Sequence, residues 1–226
     1  MDLDKAVTVL VAVVSLLLGV YNAWSIQNPP DSSDLVSQGN LYFADGDYKK
    51  AIGFYEKALK YHGTYSNALK YKGYALFNLA MDDPAQRIKI SSRLPQDSPA
   101  MAARALLEKE NQTQIILDEG RLSYMESSYQ YLQDAARANP SDVEALLYSG
   151  IVSLVLFQQS PSYDPMRDFD RTLRAVEDLS YKKSAHIRAI KGAAWYGKGV
   201  AYLKNGDGEE AMTCFRNSRV VSEEQV

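Results

Sequence analysis

Gly39, Gly73, Gly150 and Gly199 recur in one apolar and aromatic frame, and the step from the first to the second is about 34 residues, the length of one helical hairpin. A period of that length constrains the chain more than its composition does. Each period is one supersecondary unit that cannot bury its apolar face alone, so the units must stack. The frame emerges when Leu35, Gly39, Tyr42, Gly46, Ala51, Tyr55 and Ala58 are laid against Trp195, Gly199, Tyr202, Gly206, Ala211, Phe215 and Ser218. All but one of these pairs keep their character. The first glycine lets two helices approach closely and the aromatics fill the gap between them. Gly46 and Gly206 permit the positive φ of a tight turn.

These residues resemble the tetratricopeptide repeat, a helix-turn-helix unit that stacks into a right-handed superhelix. The resemblance implies an all-α fold, a helical-hairpin solenoid of about four repeats. Leu69, Gly73, Leu76 and Leu79 open the second unit on the same period. The step from Gly73 to Gly150 is more than twice that period, so an insertion separates the two helices of the second unit. Residues 121–138 supply its delayed second helix, with Met125, Ser128, Leu132 and Ala135 as the inward stripe and Asn139-Pro140 as the stop. Leu146, Gly150 and Ser153 open a third unit. The step from Gly150 to Gly199 is longer than one period but shorter than two, which implies a smaller insertion, expected around Gln158 to Pro165. The resemblance covers about residues 32–80 and 121–221.

The run from Ala6 to Trp24 contains no charged residue. As a helix at about 1.5 Å per residue it would span roughly 28 Å, the thickness of a bilayer core. Tyr21 and Asn22 before Ala23 make a poor cleavage site, so the run reads as one uncleaved transmembrane helix rather than a signal peptide. Tyr21 and Trp24 suit the headgroup level, and Pro29-Pro30 stops the helix. Lys5 precedes the run and the next basic residue is Lys49, so the repeat domain is expected on the non-cytoplasmic side of the membrane. Thr8, Ala12, Ser15, Gly19 and Asn22 share one face of this helix. Such a stripe of small and weakly polar residues suits packing on another membrane helix or on a second copy of the chain.

The expected organisation is a tail at 1–5, the anchor at 6–24, a linker at 25–33, the helical domain at 34–221 with an insertion at about 81–120, and a tail at 222–226. Within the insertion Ser98 and Pro99 mark a helix start. Met101, Ala102, Ala105 and Leu106, with Ile115, Ile116 and Leu117, give it apolar surface. That helix could continue through Gly120 into 121–138.

In the family, the concave surface is lined by each unit's first helix. Transferred by register, the lining residues are Val36, Asn40, Phe43, Lys70, Tyr74, Phe77, Asn78, Leu147, Ile151, Leu154, Val155, Tyr196, Val200 and Leu203. So apolar a set implies a protein-binding groove for an amphipathic helix or an extended apolar peptide, or else burial under the chain's own insertion helix. Family members that grip an acidic carboxyl-terminal tail use a clamp of Lys, Asn, Asn, Lys and Arg. Here only Asn40 matches, while Val36, Tyr71, Leu147 and Ile151 stand at the other expected sites, so no such clamp forms.

Catalytic groups are sparse: two histidines, His62 and His186, and one cysteine, Cys214. Gly197-x-Gly199 lacks the third glycine of a phosphate cradle. Asp45-x-Asp47 with Glu56 has the spacing of part of a calcium loop, but Lys49 and Lys50 hold the positions of a ligand and of the obligatory glycine, so this is a repeat turn. No cofactor or metal is expected. The formal charge of −3 and the isolated basic run Arg87, Lys89 and Arg93 argue against nucleic acid. The sequence therefore points to a non-enzymatic, single-pass membrane scaffold that binds protein, as an accessory or assembly subunit of a membrane complex. A secreted repeat module and a regulatory subunit of a membrane enzyme are the alternatives.

Overall fold

The computed structural model describes residues 7, 10–17, 31–81, 87–88, 103–104, 106–108, 115–179 and 184–223. Aspartates set most of the helix starts, because a carboxylate satisfies the amides that a first turn leaves free and complements its positive end. Asp31 opens α1 (Ser32–Ala44) and Asp47 opens α2 (Tyr48–Tyr61). After α3 (Ser66–Ala80), Asp118 opens α4 (Glu119–Ala138) and Asp142 opens α5 (Val143–Phe157). Asp164 with Pro165 opens α6 (Pro165–Asp178), Ser184 opens α7 (Ala185–Asn205), and α8 (Gly208–Glu223) follows. Gly46 and Gly206 have φ of 80° and 92°, the left-handed turn their positions in the frame require. Helix α1 begins at Ser32, ahead of the domain start expected at residue 34.

The helices pair as α1/α2, α3/α4, α5/α6 and α7/α8, and each pair stacks on the next. The four framing glycines mark the close crossing within each pair. A β carbon added at Gly39 would lie 2.4 Å from Tyr55, at Gly73 2.8 Å from Leu132, at Gly150 2.7 Å from Phe169, and at Gly199 2.6 Å from Phe215. In every unit a glycine of the first helix receives a large side chain of the second. Ser128 Oγ donates to Gly73 O at 2.8 Å, which fixes the same close crossing in the interrupted unit.

Two features differ from the sequence expectation. The insertion helix does not run on into α4: residues 115–118 are not helical, and Asp118 accepts from Arg121 N at 2.9 Å, making a fresh helix start. The extra length of the third period also lies mostly elsewhere. The step from Gly150 to Phe169 exceeds that from Gly39 to Tyr55 by less than one helical turn, so the segment near Gln158 to Pro165 holds only a small part of the added length. The remainder follows Phe169. Gly39, Gly73 and Gly150 are each the eighth residue of their helix, whereas Gly199 is the fifteenth of α7, which therefore begins about two turns early.

Among the described residues no helix is long and apolar enough to cross a membrane. Of the expected anchor at 6–24, residues 7 and 10–17 are described and the others lie outside the described residues. Residues 10–17 are one helical run with every side chain exposed, Leu16 at 68%. Ala12 and Ser15 of the small-residue stripe sit in that run, while Thr8, Gly19 and Asn22 lie outside the described residues.

Candidate protein-interaction site

The residues transferred to the concave surface do fall on the first helices of the units, α1, α3, α5 and α7. They are not an open surface. Val36, Phe43, Lys70, Tyr74, Phe77, Asn78, Leu147, Ile151, Leu154, Val155 and Val200 are buried, Asn40 and Tyr196 half-buried, and only Leu203 is exposed, at 47%. Of the two expectations, an open groove and burial by the chain itself, the described residues fit burial, and the insertion takes part in it. Ile88, Ala103, Leu106, Leu107 and Leu117 are buried in the same continuous core cluster as Phe77, Leu147, Ile151 and Val200. Large apolar side chains on a concave floor are stabilised by whatever removes them from water, and here the chain's own insertion shares in doing so.

Polar contacts fix the insertion in place. Asn78 is fully buried; its Nδ2 donates to Ile88 O at 2.8 Å and its Oδ1 accepts from Ile88 N at 2.7 Å. This reciprocal pair is how a side-chain amide grips one residue of extended chain, and it defines which end of the amide is which. Arg87 donates to Met81 O at 3.1 Å and lies 5.9 Å from the Tyr48 ring. Arg104 lies 4.8 Å over the Tyr196 ring and donates to Ser218 Oγ at 3.0 Å. The insertion thus touches the first, second and last units. Asn40, expected to face the groove, accepts from Tyr55 OH at 2.8 Å inside the first unit.

Lys70 carries a buried charge network that sequence reasoning missed. Its ammonium lies 2.9 Å from Asp142 and 3.7 Å from Glu144, and His186 Nε2 approaches Glu144 at 3.4 Å. These groups come from near the starts of α3, α5 and α7 or from the residue capping α5, so they tie three units together. Burial is the largest influence on Lys70 and pulls its pKa down, but Asp142 and Glu144 outweigh it and hold the ammonium above its ordinary value. Burial raises Glu144, against the opposing charges of Lys70 and His186.

A second network surrounds the buried Asp168, which accepts from Tyr129 OH at 2.8 Å and Gln133 Nε2 at 3.2 Å. Burial first, then the Asp168 charge, pushes Tyr129 up to about 12. Both networks join residues of different units, and no local spacing signals them. Cys214 is buried, and burial pushes its thiol up, away from a reactive thiolate. His62 ends α2 and stacks on Tyr65 at 5.6 Å, as a helix-end histidine. Asp47 caps α2 and pairs with Lys50 at 2.9 Å.

Large apolar side chains remain exposed at Leu41 and Tyr61 of the first unit, at Ile116 ahead of α4, and on the last unit. Leu203 and Val220 are about half exposed and Met212 more so. A cleft of about 580 Å³ opens at Val220, lined also by Leu173, Arg174, Glu177, Lys191 and Trp195.

Family models of the tetratricopeptide repeat match residues 34–65 and 192–218, so the chain carries such repeats near both ends of its stack. No curated protein sequence matches it. Among solved structures, one described as MamA MSR-1 C2 shares 17% identity over 86% of this chain and 98% of its own, with a TM-score of 0.38. YrrB, described as a TPR protein with an unusual peptide-binding site, shares 17% identity over 91% and 93% with a TM-score of 0.35. A further MamA structure shares 20% identity over 86% and 93% with a TM-score of 0.32.

Proposed function

We propose that this chain is a non-enzymatic tetratricopeptide-repeat scaffold, held at a membrane by residues 6–24, that binds another protein as an accessory or assembly subunit of a membrane complex. The observation that carries the reading is the set of four glycine hooks, each closed by a large side chain of the paired helix, with repeat-family matches at both ends. Repeats of this kind serve as extended surfaces for protein partners. The self-filled concave floor moves the partner surface to the outside of the stack, where Leu203, Met212 and Val220 of the last unit are exposed.

The uncharged run and the exposed helical residues 10–17 favour an anchor, because so apolar a helix is unstable in water and stable in lipid. Tethering then raises the effective concentration of the scaffold for partners in the same membrane. Ala12 and Ser15 place small side chains on one face of that helix, suited to a neighbouring span or to a second copy.

The test is purification of the full chain from its native membranes after alkaline carbonate washing. Retention in the washed membrane with a stoichiometric second protein in detergent is the expected result. Release by carbonate removes the anchor, and a chain that purifies alone as a monomer removes the scaffold role.

A further inference from the structure

Helix α2 carries Lys49, Lys50, Lys57 and Lys60, all exposed, while its only acid is Glu56. At about 100° per residue, Lys49, Lys60, Lys57 and Lys50 follow one another around an arc of about 100°, and Tyr61 and Phe54 continue it. Ala51, Tyr55 and Ala58 are buried on the opposite side. Among the described residues Lys49, Lys57 and Lys60 make no ion pair, and Glu56 is turned to Lys72 at 2.7 Å. The aromatics beside the lysines are ordered: Phe54 stacks on Tyr42 with ring centres 5.3 Å apart, Lys57 lies 4.9 Å over Phe54, and Lys50 lies 5.4 Å over Tyr42. Leu41 on the neighbouring α1 is 66% exposed.

The place of this face in the chain decides what covers it. Ser32 Oγ donates to Ala58 O at 3.3 Å, so the chain enters α1 level with the last turn of α2, on the side away from Lys57 and Lys60. Only the short segment from Trp24 to Asp31 joins the end of the uncharged run to that point. Even fully extended it reaches at most about 25 Å. A face with clustered lysines and flanking aromatics, its near end tethered within that reach of the end of a membrane helix, has access to the headgroup layer. Lysines there pair with lipid phosphates, and tyrosine and phenylalanine rings suit the polar-apolar boundary.

We propose that the outward face of α2, formed by Lys49, Lys50, Lys57, Lys60, Phe54 and Tyr61, docks on an anionic lipid surface and lays the first repeat against the membrane. The proposal rests on the anchor reading for its geometry, and the two are separated by lipid charge. A lysine near an anionic surface contributes about fivefold in affinity, so the effect is measurable.

The experiment places the full chain on vesicles of phosphatidylcholine alone and on vesicles with a third phosphatidylglycerol. Amine-reactive labelling is mapped by mass spectrometry, with Lys204 on α7 as the internal reference. On the anionic vesicles Lys49, Lys57 and Lys60 label several-fold more slowly than on the neutral ones while Lys204 is unchanged. High salt, or the variant Lys57→Glu with Lys60→Glu, abolishes the protection of Lys49. If the chain fails to float with neutral vesicles the anchor is lost. The α2 contact then appears as flotation with anionic vesicles only, removed by the same double variant. Equal labelling and equal flotation on both vesicles overturn the proposal, as does protection that ignores lipid charge, which would instead mark a protein on this face.

Discussion

Gly197 lies so close to Phe169 that a β carbon on it would stand 2.4 Å from the tip of the ring, while the side of the same ring approaches Gly150. Phe169 belongs to α6 and Gly197 to α7, so the ring locks the third unit to the fourth as well as closing its own hairpin. Gly197→Ala forces the ring or a helix to move, and overpacking of this kind costs about 1–3 kcal/mol. In a chain of this size each kcal/mol lowers the melting temperature by about 2–4 °C. Gly53→Ala is the control: it sits in α2 with nothing within 4 Å of the added carbon, and it should gain up to about 1 kcal/mol from helix propensity. Thermal unfolding followed by circular dichroism distinguishes them, and a Gly197→Ala chain that melts with the wild type would show that the crossing is loose.

The hook of Gly39 on Tyr55 is legible in the sequence because the same pair recurs at the same spacing in Gly199 and Phe215. Gly197 on Phe169 is not, because its partner precedes it in another unit and no second copy of the spacing exists. The apolar floor of α3 and α5 is equally legible as a stripe. What covers it is not, since Ile88 and Leu107 belong to an insertion outside any period and hydropathy alone does not say whether a partner or the chain itself removes a side chain from water. Lys70 and Asp142 lie on either side of that insertion and of α4, and only the stacking of α3 on later units brings the charges together.

Lys70→Met should be strongly destabilising although methionine fills much of the same volume. The substitution leaves Asp142 and Glu144 with little solvent and no ammonium, and breaking a buried pair in this way costs about 3–5 kcal/mol. Asp142 remains partly satisfied because it also accepts from Ala145 N at 3.1 Å. Adding Glu144→Gln removes one of the stranded charges and should restore part of the loss. Urea unfolding of the single and double variants measures both, and a double variant no more stable than Lys70→Met would show that Glu144 carries none of the penalty.

Alkaline pH should unfold the chain through groups that keep their protons only when folded. Lys70 is raised above 10.5 and Tyr129 is raised to about 12, whereas both lose their protons at ordinary values in the unfolded chain. The unfolded state then binds fewer protons, so stability falls as pH rises. Stability from these groups is complete below pH 10 and declines between about pH 10 and 12. Tyr129→Phe removes the hydroxyl that donates to Asp168, lowering stability at pH 8 by about 1–2 kcal/mol but making the alkaline decline shallower. Denaturant midpoints at pH 8, 10 and 11 provide the check, and an unchanged pH slope in Tyr129→Phe would remove this tyrosine from the alkaline transition.

Asn78→Leu should release the insertion while leaving the repeats standing. The substitution removes both bonds to Ile88 and strands a buried amide and carbonyl, at about 1 kcal/mol or more for each. Two such losses raise the population in which Arg87 and Ile88 leave the surface of α3 by about tenfold or more. Leucine fills the vacated space without offering a new donor, so the helices of the second unit still pack. Arg87 is a trypsin site, and its guanidinium is held between Met81 O and the Tyr48 ring, which slows access to the bond that follows it. Trypsin at fixed time should therefore cut after Arg87 several-fold faster in Asn78→Leu than in the wild type, at unchanged far-ultraviolet circular dichroism. Equal cutting rates would mean that apolar contacts of the insertion, such as those of Leu106 and Leu107 with the core, hold it without the asparagine.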